Sequence, residues 1–368
     1  MRVKFALSTL CENPGRRTGL STLFPEFVAA ARRQFPEVEW LVFAGPQVEW
    51  PAGDPGVEVC RRFPSNERRW ARLAADHLRV GPESRRRGAA ALVTVGFAPL
   101  RSAGLLVAMQ VFTVDPRQAV GGGRTRYRAW AVARGLRRAA VVIVNSAWAA
   151  TQVGAARGPV VVSPEGLRHD RFNLEVPPGG PGLPSRYFLW ASNLYPYKRF
   201  ELALAAYAAL PAALRAQYPL LVAGGDWGEG QPKAEAEARR LGVADEVRFL
   251  GWVEDAALPG LYRGARLHLL STEYETFGRS VLEAMACGCP SVLQELPVLR
   301  EVAGESALYI DFRDTAAAAA AIERLCGDGA LYSGMRAAGV QRAGLFSFDR
   351  LARERVTAIR EALARTGR

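Results

Sequence analysis

Two carboxylates and one lysine carry most of the chemical interest in this 368-residue chain. Glu275 and Glu283 stand with seven residues between them in Ser-Thr-Glu-Tyr-Glu-Thr-Phe-Gly-Arg-Ser-Val-Leu-Glu-Ala-Met-Ala-Cys-Gly-Cys-Pro, which runs from Ser271 to Pro290. The apolar run Ala265 to Leu270 before it reads as a buried strand, and Ser291-Val292-Leu293 after it reads as another. Gly278 ends a loop, and Arg279 to Cys287 is helical in composition until Gly288 and Pro290 stop it. Val281, Leu282, Ala284, Met285 and Ala286 leave that helix apolar on nearly every side, so burial is expected, and a buried ionised Glu283 needs partners. A ligand rich in hydroxyls would supply them. The amides of Thr276, Phe277, Gly278 and Arg279 at the helix N-terminus favour an anionic group such as a phosphate. The plain structural alternative is one capping and one solvated glutamate. Lys198 is the third group: it follows the strand-like Tyr187 to Ala191, in a chain where all but three of the 48 Lys and Arg residues are arginine.

The Glu-x7-Glu pattern opening a Phe-Gly-x-x-x-Leu-Glu-Ala-Met-Ala-Cys-Gly-x-Pro helix resembles the donor-binding signature of retaining, nucleotide-sugar-dependent glycosyltransferases of family 4. These have the two-Rossmann GT-B fold. Ser192-Asn193-Leu194-Tyr195-Pro196-Tyr197-Lys198-Arg199 resembles the family's Gly-Arg-Leu-x-Pro-x-Lys-Gly, whose Arg and Lys clamp the donor diphosphate. Lys198 matches, Asn193 stands where the arginine is expected, and Arg199 is the candidate to compensate. The resemblance implies that Glu283 holds the nucleotide ribose and Glu275 the hydroxyls of the donor sugar. It also implies that Gly19 lies against the diphosphate, that the backbone at Gly225 approaches the donor, and that Val253 is near the base. Relatives carry a His-Asp pair after a first-domain strand. Here that place reads Thr113-Val114-Asp115, so Asp115 is an acceptor-side candidate, the alternative being an Asp-Pro turn. The resemblance covers Tyr187 to Asp349 well and the first half only by topology and short stretches.

The surrounding pattern fits such a fold. Arg2 to Ser8 alternates like a strand, Cys11 to Gly19 is a turn-rich loop, a helix is expected over Leu20 to Gln34, and Val38 to Phe43 reads as the next strand. In a unit of this kind the first loop faces the phosphates. Strands follow at Ala90 to Val95, Leu105 to Thr113, Ala140 to Val144 and Pro159 to Ser163. Past Pro177-Pro178-Gly179-Gly180-Pro181-Gly182, strands and helices alternate regularly as far as Ile310. The spacing predicts an α/β chain with doubly wound parallel sheets, and the resemblance implies two Rossmann-like doubly wound domains facing a cleft. The expected bounds are 1–176 for the first domain, 177–185 for a linker and 186–346 for the second; the resemblance implies that the first is acceptor-side, that the second binds the nucleotide sugar, and that 347–368 is a helix crossing back to the first domain.

Composition narrows the function further. With 49% hydrophobic residues the chain can bury two cores. Five cysteines without metal-ligand spacing suggest a reducing compartment, and Met1-Arg2-Val3-Lys4 leads into a strand without a leader pattern, so a cytoplasmic location is expected. The net charge of +12 is spread among acids and accompanied by no nucleic-acid recognition motif, which argues against nucleic acid as a partner. Contact with an anionic membrane on its inner face stays open. Cys287 and Cys289 read as small core residues, and His77, His169 and His268 form no constellation. The function that the resemblance implies is transfer of a hexose-type sugar from a nucleotide-diphosphate donor to an acceptor hydroxyl of a glycan, a lipid or a small molecule, with no cofactor and no metal. An epimerase- or phosphorylase-like enzyme of the same fold and a non-catalytic nucleotide-sugar-binding partner protein are the alternatives.

Overall fold

The computed structural model describes residues 2–12, 19–51, 53–112, 123–225 and 230–367, which fall into two compact units, Met1–Gly166 with Ser347–Arg368 and Leu167–Phe346. The chain begins β1 (Val3–Ser8), α1 (Gly19–Gln34), β2 (Val38–Phe43), β3 (Val57–Cys60), α2 (Arg69–Leu78), α3 (Val80–Arg86) and β4 (Ala89–Val95). It continues β5 (Leu106–Val111), α4 (Gly123–Leu136), β6 (Val141–Val144), α5 (Ala147–Gln152) and β7 (Val160–Val162). The second unit runs β8 (Phe188–Ala191), α6 (Phe200–Ala208), α7 (Ala212–Gln217), β9 (Leu220–Ala223), α8 (Gly230–Arg240), β10 (Val247–Gly251) and α9 (Leu258–Gly264). It ends with β11 (Leu267–Leu270), α10 (Arg279–Ala286), β12 (Ser291–Gln294), α11 (Pro297–Ala303), β13 (Ala307–Ile310), α12 (Thr315–Gly327) and α13 (Gly329–Ala343). The last helix, α14 (Phe348–Arg365), belongs to the first unit.

Each unit is built on one parallel sheet. The strand order is β3-β2-β1-β4-β5-β6-β7 in the first and β10-β9-β8-β11-β12-β13 in the second. Both sheets are doubly wound: the order reverses between β1 and β4 in one and between β8 and β11 in the other, and ligands of such sheets sit beyond the carboxyl ends at that reversal. The central strands are apolar on both faces because helices cover both. Every residue of β5, β6, β8, β9, β11 and β12 is buried.

Helix α14 shows why the chain returns to its first unit. Phe348, Leu351, Ala352, Val356, Ile359 and Leu363 recur at helical spacing and are buried in one cluster with Phe5, Phe24, Phe27 and Trp40. Arg355 lies within that stripe, 1% exposed. It is tolerated because its guanidinium donates to Gln110 Oε1 at 2.7 Å and to Ser163 Oγ at 3.3 Å. Burial still pushes its pKa down, to about 10.

Four helices and a strand were not expected from the sequence: α3, α5, α7, α13 and β3. Helix α13 contains Gly329, Gly334 and Gly339, which mask its pattern, and the β3 strand is only four residues long and carries Glu58. Ile359→Ala, which opens a hole under α14, is expected to cost about 2–5 kcal/mol of unfolding free energy. Urea unfolding checks this, and a variant as stable as the parent would mean that α14 is not part of the first core.

Candidate active site

In the second unit the chain leaves each strand of the central sheet at its carboxyl edge, and the expected site residues collect there. Asn193 and Lys198 follow β8, Gly225 follows β9, Val253 follows β10, and Glu275 to Gly278 follow β11. Since β8 and β11 are neighbours, paired Leu267 to Phe188 and His268 to Leu189, their two loops start side by side at the reversal of strand order. Hydrogen bonds lace them together. Glu273 N–H donates to Tyr197 O at 2.9 Å, Thr272 Oγ1 to the same carbonyl at 3.3 Å, and Ser271 Oγ to Arg199 O at 2.7 Å.

This lacing brings Lys198 Nζ onto Glu275 Oε1 as an ion pair. Their side chains are 13% and 14% exposed, so water screens the pair only partly. Lys198 also lies 5.4 Å from the centre of the Tyr197 ring, which stacks on Tyr195 at 5.5 Å and meets Tyr274 edge-on at 6.4 Å. Three tyrosines around one ion pair were not singled out from the sequence. The signal was present in Tyr195-Pro196-Tyr197 beside Lys198.

Glu283 lies in α10 and is 8% exposed. The expectation was that a ligand would satisfy this carboxylate. In the structure the protein does so: Arg279 Nε donates to Oε1 and the Tyr262 hydroxyl to Oε2, both at 3.1 Å. Burial nevertheless outweighs these partners and raises the Glu283 pKa. At the start of α10, Gly278 adopts a left-handed φ of +96°, and a Cβ there would come within 2.7 Å of Leu299 Cδ2. Lacking a side chain, Gly278 offers no cap to the first amides of the helix. Phe277 is buried against Phe346 at 5.7 Å, and Thr276 is half-buried between Phe277 and Glu275 in the chain.

The remaining residues are held as follows. Asn193 Oδ1 accepts the Gly225 N–H at 3.0 Å and the Leu194 N–H reaches Gly225 O at 3.2 Å, so Asn193 ties the loops after β8 and β9 together. Gly224 cannot be another residue without moving the backbone, because its Cβ would lie 1.7 Å from Ser192 O. Arg199 has a left-handed φ of +50° and its guanidinium is engaged by Glu201 and Glu273. Val253 is half-buried, and the neighbouring Trp252 is 49% exposed. His268 is fully buried with Nδ1 3.2 Å from Ser291 Oγ, and burial lowers its pKa to about 3, so it is a neutral core residue. Cys287 and Cys289 are likewise buried, and none of the five cysteines is in a disulfide.

In the first unit, Gly19 is the first residue of α1, following the loop after β1. Asp115 lies outside the described residues. A polar group that the sequence did not reveal sits beside the end of β1. Ser8 Oγ donates to Asp76 Oδ1 at 2.7 Å, and Arg72 Nη1 donates to Asp76 Oδ2 at 3.0 Å. Next to this pair in the chain, His77 Nε2 shares a 2.8 Å hydrogen bond with the Tyr127 hydroxyl, and burial, then Arg134 and Arg72, hold its pKa down to about 4. Glu12, in the loop after β1, is 4% exposed, and its Oε1 has no partner among the described residues. Burial pushes its pKa up to about 7. In the sequence it is one glutamate in a turn-rich loop, and only the fold makes it buried.

Residues 178–342, which lie in the second unit, match the family model described as Glycosyl transferases group 1. Over 173 residues the chain is 33% identical to the O-antigen chain mannosyltransferase B of Escherichia coli, which is 47% of this chain and 45% of that protein. The chain thus spans less than half of this curated relative's length. Among solved structures, sucrose-phosphate synthase from Thermosynechococcus elongatus has a TM-score of 0.79 at 20% identity, covering 99% of this chain and 100% of that one. Anabaena HepE in complex with UDP and glucose has a TM-score of 0.72 at 17% identity, covering 97% and 99%. At these identities the likeness is one of fold, the GT-B fold of two parallel-sheet α/β domains.

The raised pKa of Glu12 sets a pH dependence. Below about pH 4.5 the group is protonated folded or unfolded and costs nothing; above about pH 7 it is buried as an anion. Its contribution to stability is therefore lost as pH rises from about 4.5 to about 7. Glu12→Gln is expected to flatten the fall of unfolding free energy across that window, measured by urea unfolding at a series of pH values. Identical slopes for parent and variant would contradict the assignment.

Proposed function

We propose that this chain moves a hexose-type sugar from a nucleotide-diphosphate donor to an acceptor hydroxyl of a glycan, a lipid or a small molecule, as a retaining family 4 glycosyltransferase working without a metal. The observation that carries this reading is the meeting of Lys198 and Glu275 at the reversal point of the second sheet, within the residues that match the Glycosyl transferases group 1 model.

Breaking the sugar–phosphate bond builds negative charge on the departing diphosphate and positive charge on the sugar ring. A cation and backbone amides fixed beforehand toward that phosphate lower the barrier by several kcal/mol in a water-poor site. On this reading Lys198 and the amides that open α10 face the diphosphate, with Gly19 and Gly225 allowing close backbone approach. Glu275 takes the sugar hydroxyls, Glu283 the ribose and Val253 the base. Tyr195, Tyr197 and Tyr274 supply apolar faces for the sugar ring. The diphosphate assists removal of the acceptor proton. The acceptor belongs to the first unit, where Glu12, titrating near neutrality, joins Asp115 as a candidate for contact with it. We place the protein in the cytoplasm, with contact to an anionic membrane face as an added option. Among the described residues no helix is long and apolar enough to cross a membrane.

One observation favours a second reading, a nucleotide-sugar-binding protein without turnover. Asn193 is neutral and committed to Gly225, while Arg199 is committed to two carboxylates, which leaves Lys198 with less cationic support than the family motif provides.

A panel of nucleoside diphosphates separates these readings from an unrelated activity. At about 100 times its dissociation constant the right nucleotide should add ~2.7 kcal/mol of stability, read as a rise in Tm. No rise with any nucleotide sinks both. If binding is found, product analysis with the matching donor sugar decides between them. Lys198→Ala and Glu275→Ala should each lower transfer by about 10²–10³-fold while the protein stays folded. Rates equal to the parent's in either variant would refute the roles of these two side chains, and loss of activity on adding EDTA would refute the metal-free mechanism.

A further inference from the structure

The first unit holds a pocket of about 440 Å³ at the edge of its sheet opposite the loops that follow its strands. It lies against the amino-terminal ends of β5, β6 and β7, where Leu106 and Val107 open β5, Ala140 precedes β6 and Pro159 precedes β7. Ligands of doubly wound sheets bind at the other edge, so the fold itself gives no reason for a cavity here. Four arginines line it, Arg134, Arg138, Arg157 and Arg365, and among the described lining residues there is no carboxylate. Such an excess is unusual in this chain, which elsewhere pairs its arginines freely, as in Arg86 and Arg87 with Glu83 or Arg313 with Asp311.

Two of the four have a structural explanation. Arg134 and Arg365 lie in the last turns of α4 and α14, where a cation complements the helix dipole. Two helix ends supply only about one elementary charge of compensation between them, which leaves most of the four positive charges unbalanced. Arg138 and Arg157 lie outside helices, and none of the four guanidinium groups is in an ion pair with a carboxylate among the described residues. Of the four guanidinium groups only that of Arg134 has a polar contact among the described residues, donating to Ala98 O at 3.2 Å. Burial, followed by the like charges of Arg138 and Arg137, lowers the Arg134 pKa, the mark of cations gathered without an anion. The rest of the wall is mixed, with the apolar Pro99, Leu105 and Pro159 beside Ser102 and Thr366.

We propose that this pocket is a second ligand site, distinct from the proposed donor site, and that it takes a phosphate monoester whose phosphate is held by Arg134, Arg138, Arg157 and Arg365 and whose remainder lies on the mixed wall. Guanidinium groups suit this ligand because each presents a planar pair of donors to phosphate oxygens. The volume falls in the ordinary range of small-molecule sites and exceeds what a bare phosphate fills. Two sources carry the same chemistry, a soluble phosphorylated metabolite and the headgroup of an anionic lipid.

The test uses the full chain in a Lys198→Ala background, so that the proposed diphosphate site does not contribute. Glycerol 3-phosphate is titrated by calorimetry, and co-sedimentation is measured with phosphatidylcholine vesicles with and without phosphatidic acid. Saturable binding of either probe is expected. Adding Arg138→Gln and Arg157→Gln should weaken it by about tenfold or more, since charge-assisted contacts to phosphate are among the stronger hydrogen bonds. Both side chains are exposed, so the double variant should keep the parent's Tm, and Arg138→Lys with Arg157→Lys, which keeps the charge, should retain much of the binding. Binding of glycerol 3-phosphate without vesicle capture supports a soluble ligand, and vesicle capture lost in the Gln variant supports a headgroup. No saturable binding of either probe, or affinity unchanged in the Gln variant, overturns the proposal.

Discussion

The Lys198–Glu275 ion pair is the interaction on which the candidate site depends, and it exists only because two strands are neighbours. Its partners are 77 residues apart in the chain. They meet because β8 and β11 flank the reversal of strand order and because Ser271, Thr272 and Glu273 bind back to the carbonyls of Tyr197 and Arg199. A largely buried pair of this kind contributes little net stability, because desolvation offsets its attraction. What it supplies is a cation and an anion held in place before any ligand arrives. On the proposed reading a donor diphosphate competes with Glu275 for Lys198, and Glu275, released, turns to hydroxyl groups.

The backbone around this pair has little freedom. Gly224 meets Ser192 O so closely that any side chain is excluded, and Gly278 combines a left-handed φ with the nearby Leu299 side chain. Asn193 holds the loops after β8 and β9 in register. Glu283 is fixed from two directions by Tyr262 and Arg279. The frame around the Lys198–Glu275 pair is therefore built by the sheet edge and by short backbone contacts.

The first unit is organised differently. Its polar groups near β1 are buried: Asp76 with Ser8 and Arg72, and Glu12, whose Oε1 has no partner among the described residues; four arginines gather at the opposite edge of the same sheet. A parallel sheet has two chemically distinct edges, and this unit places Asp76 and Glu12 near one and Arg134, Arg138, Arg157 and Arg365 near the other.

Much of this was legible in the amino-acid sequence. Apolar runs of four to six residues separated by amphipathic segments determine a parallel α/β sheet, because strands covered on both faces must be apolar throughout. Glycines and a proline around Arg279 to Ala286 determine the short buried helix, and the types of Lys198, Glu275 and Glu283 determine what chemistry they can offer. What only the tertiary structure decided is who meets whom. That Lys198 pairs with Glu275, that Glu283 is satisfied by Tyr262 and Arg279, that Asn193 serves the backbone and Arg199 two acids, and that Glu12 and four arginines find themselves in opposite settings all depend on contacts between residues tens of positions apart. Local sequence controls the dihedral preferences and the periodicity of each element. Burial and charge partners are properties of the packed sheet, and no stretch of a dozen residues contains them.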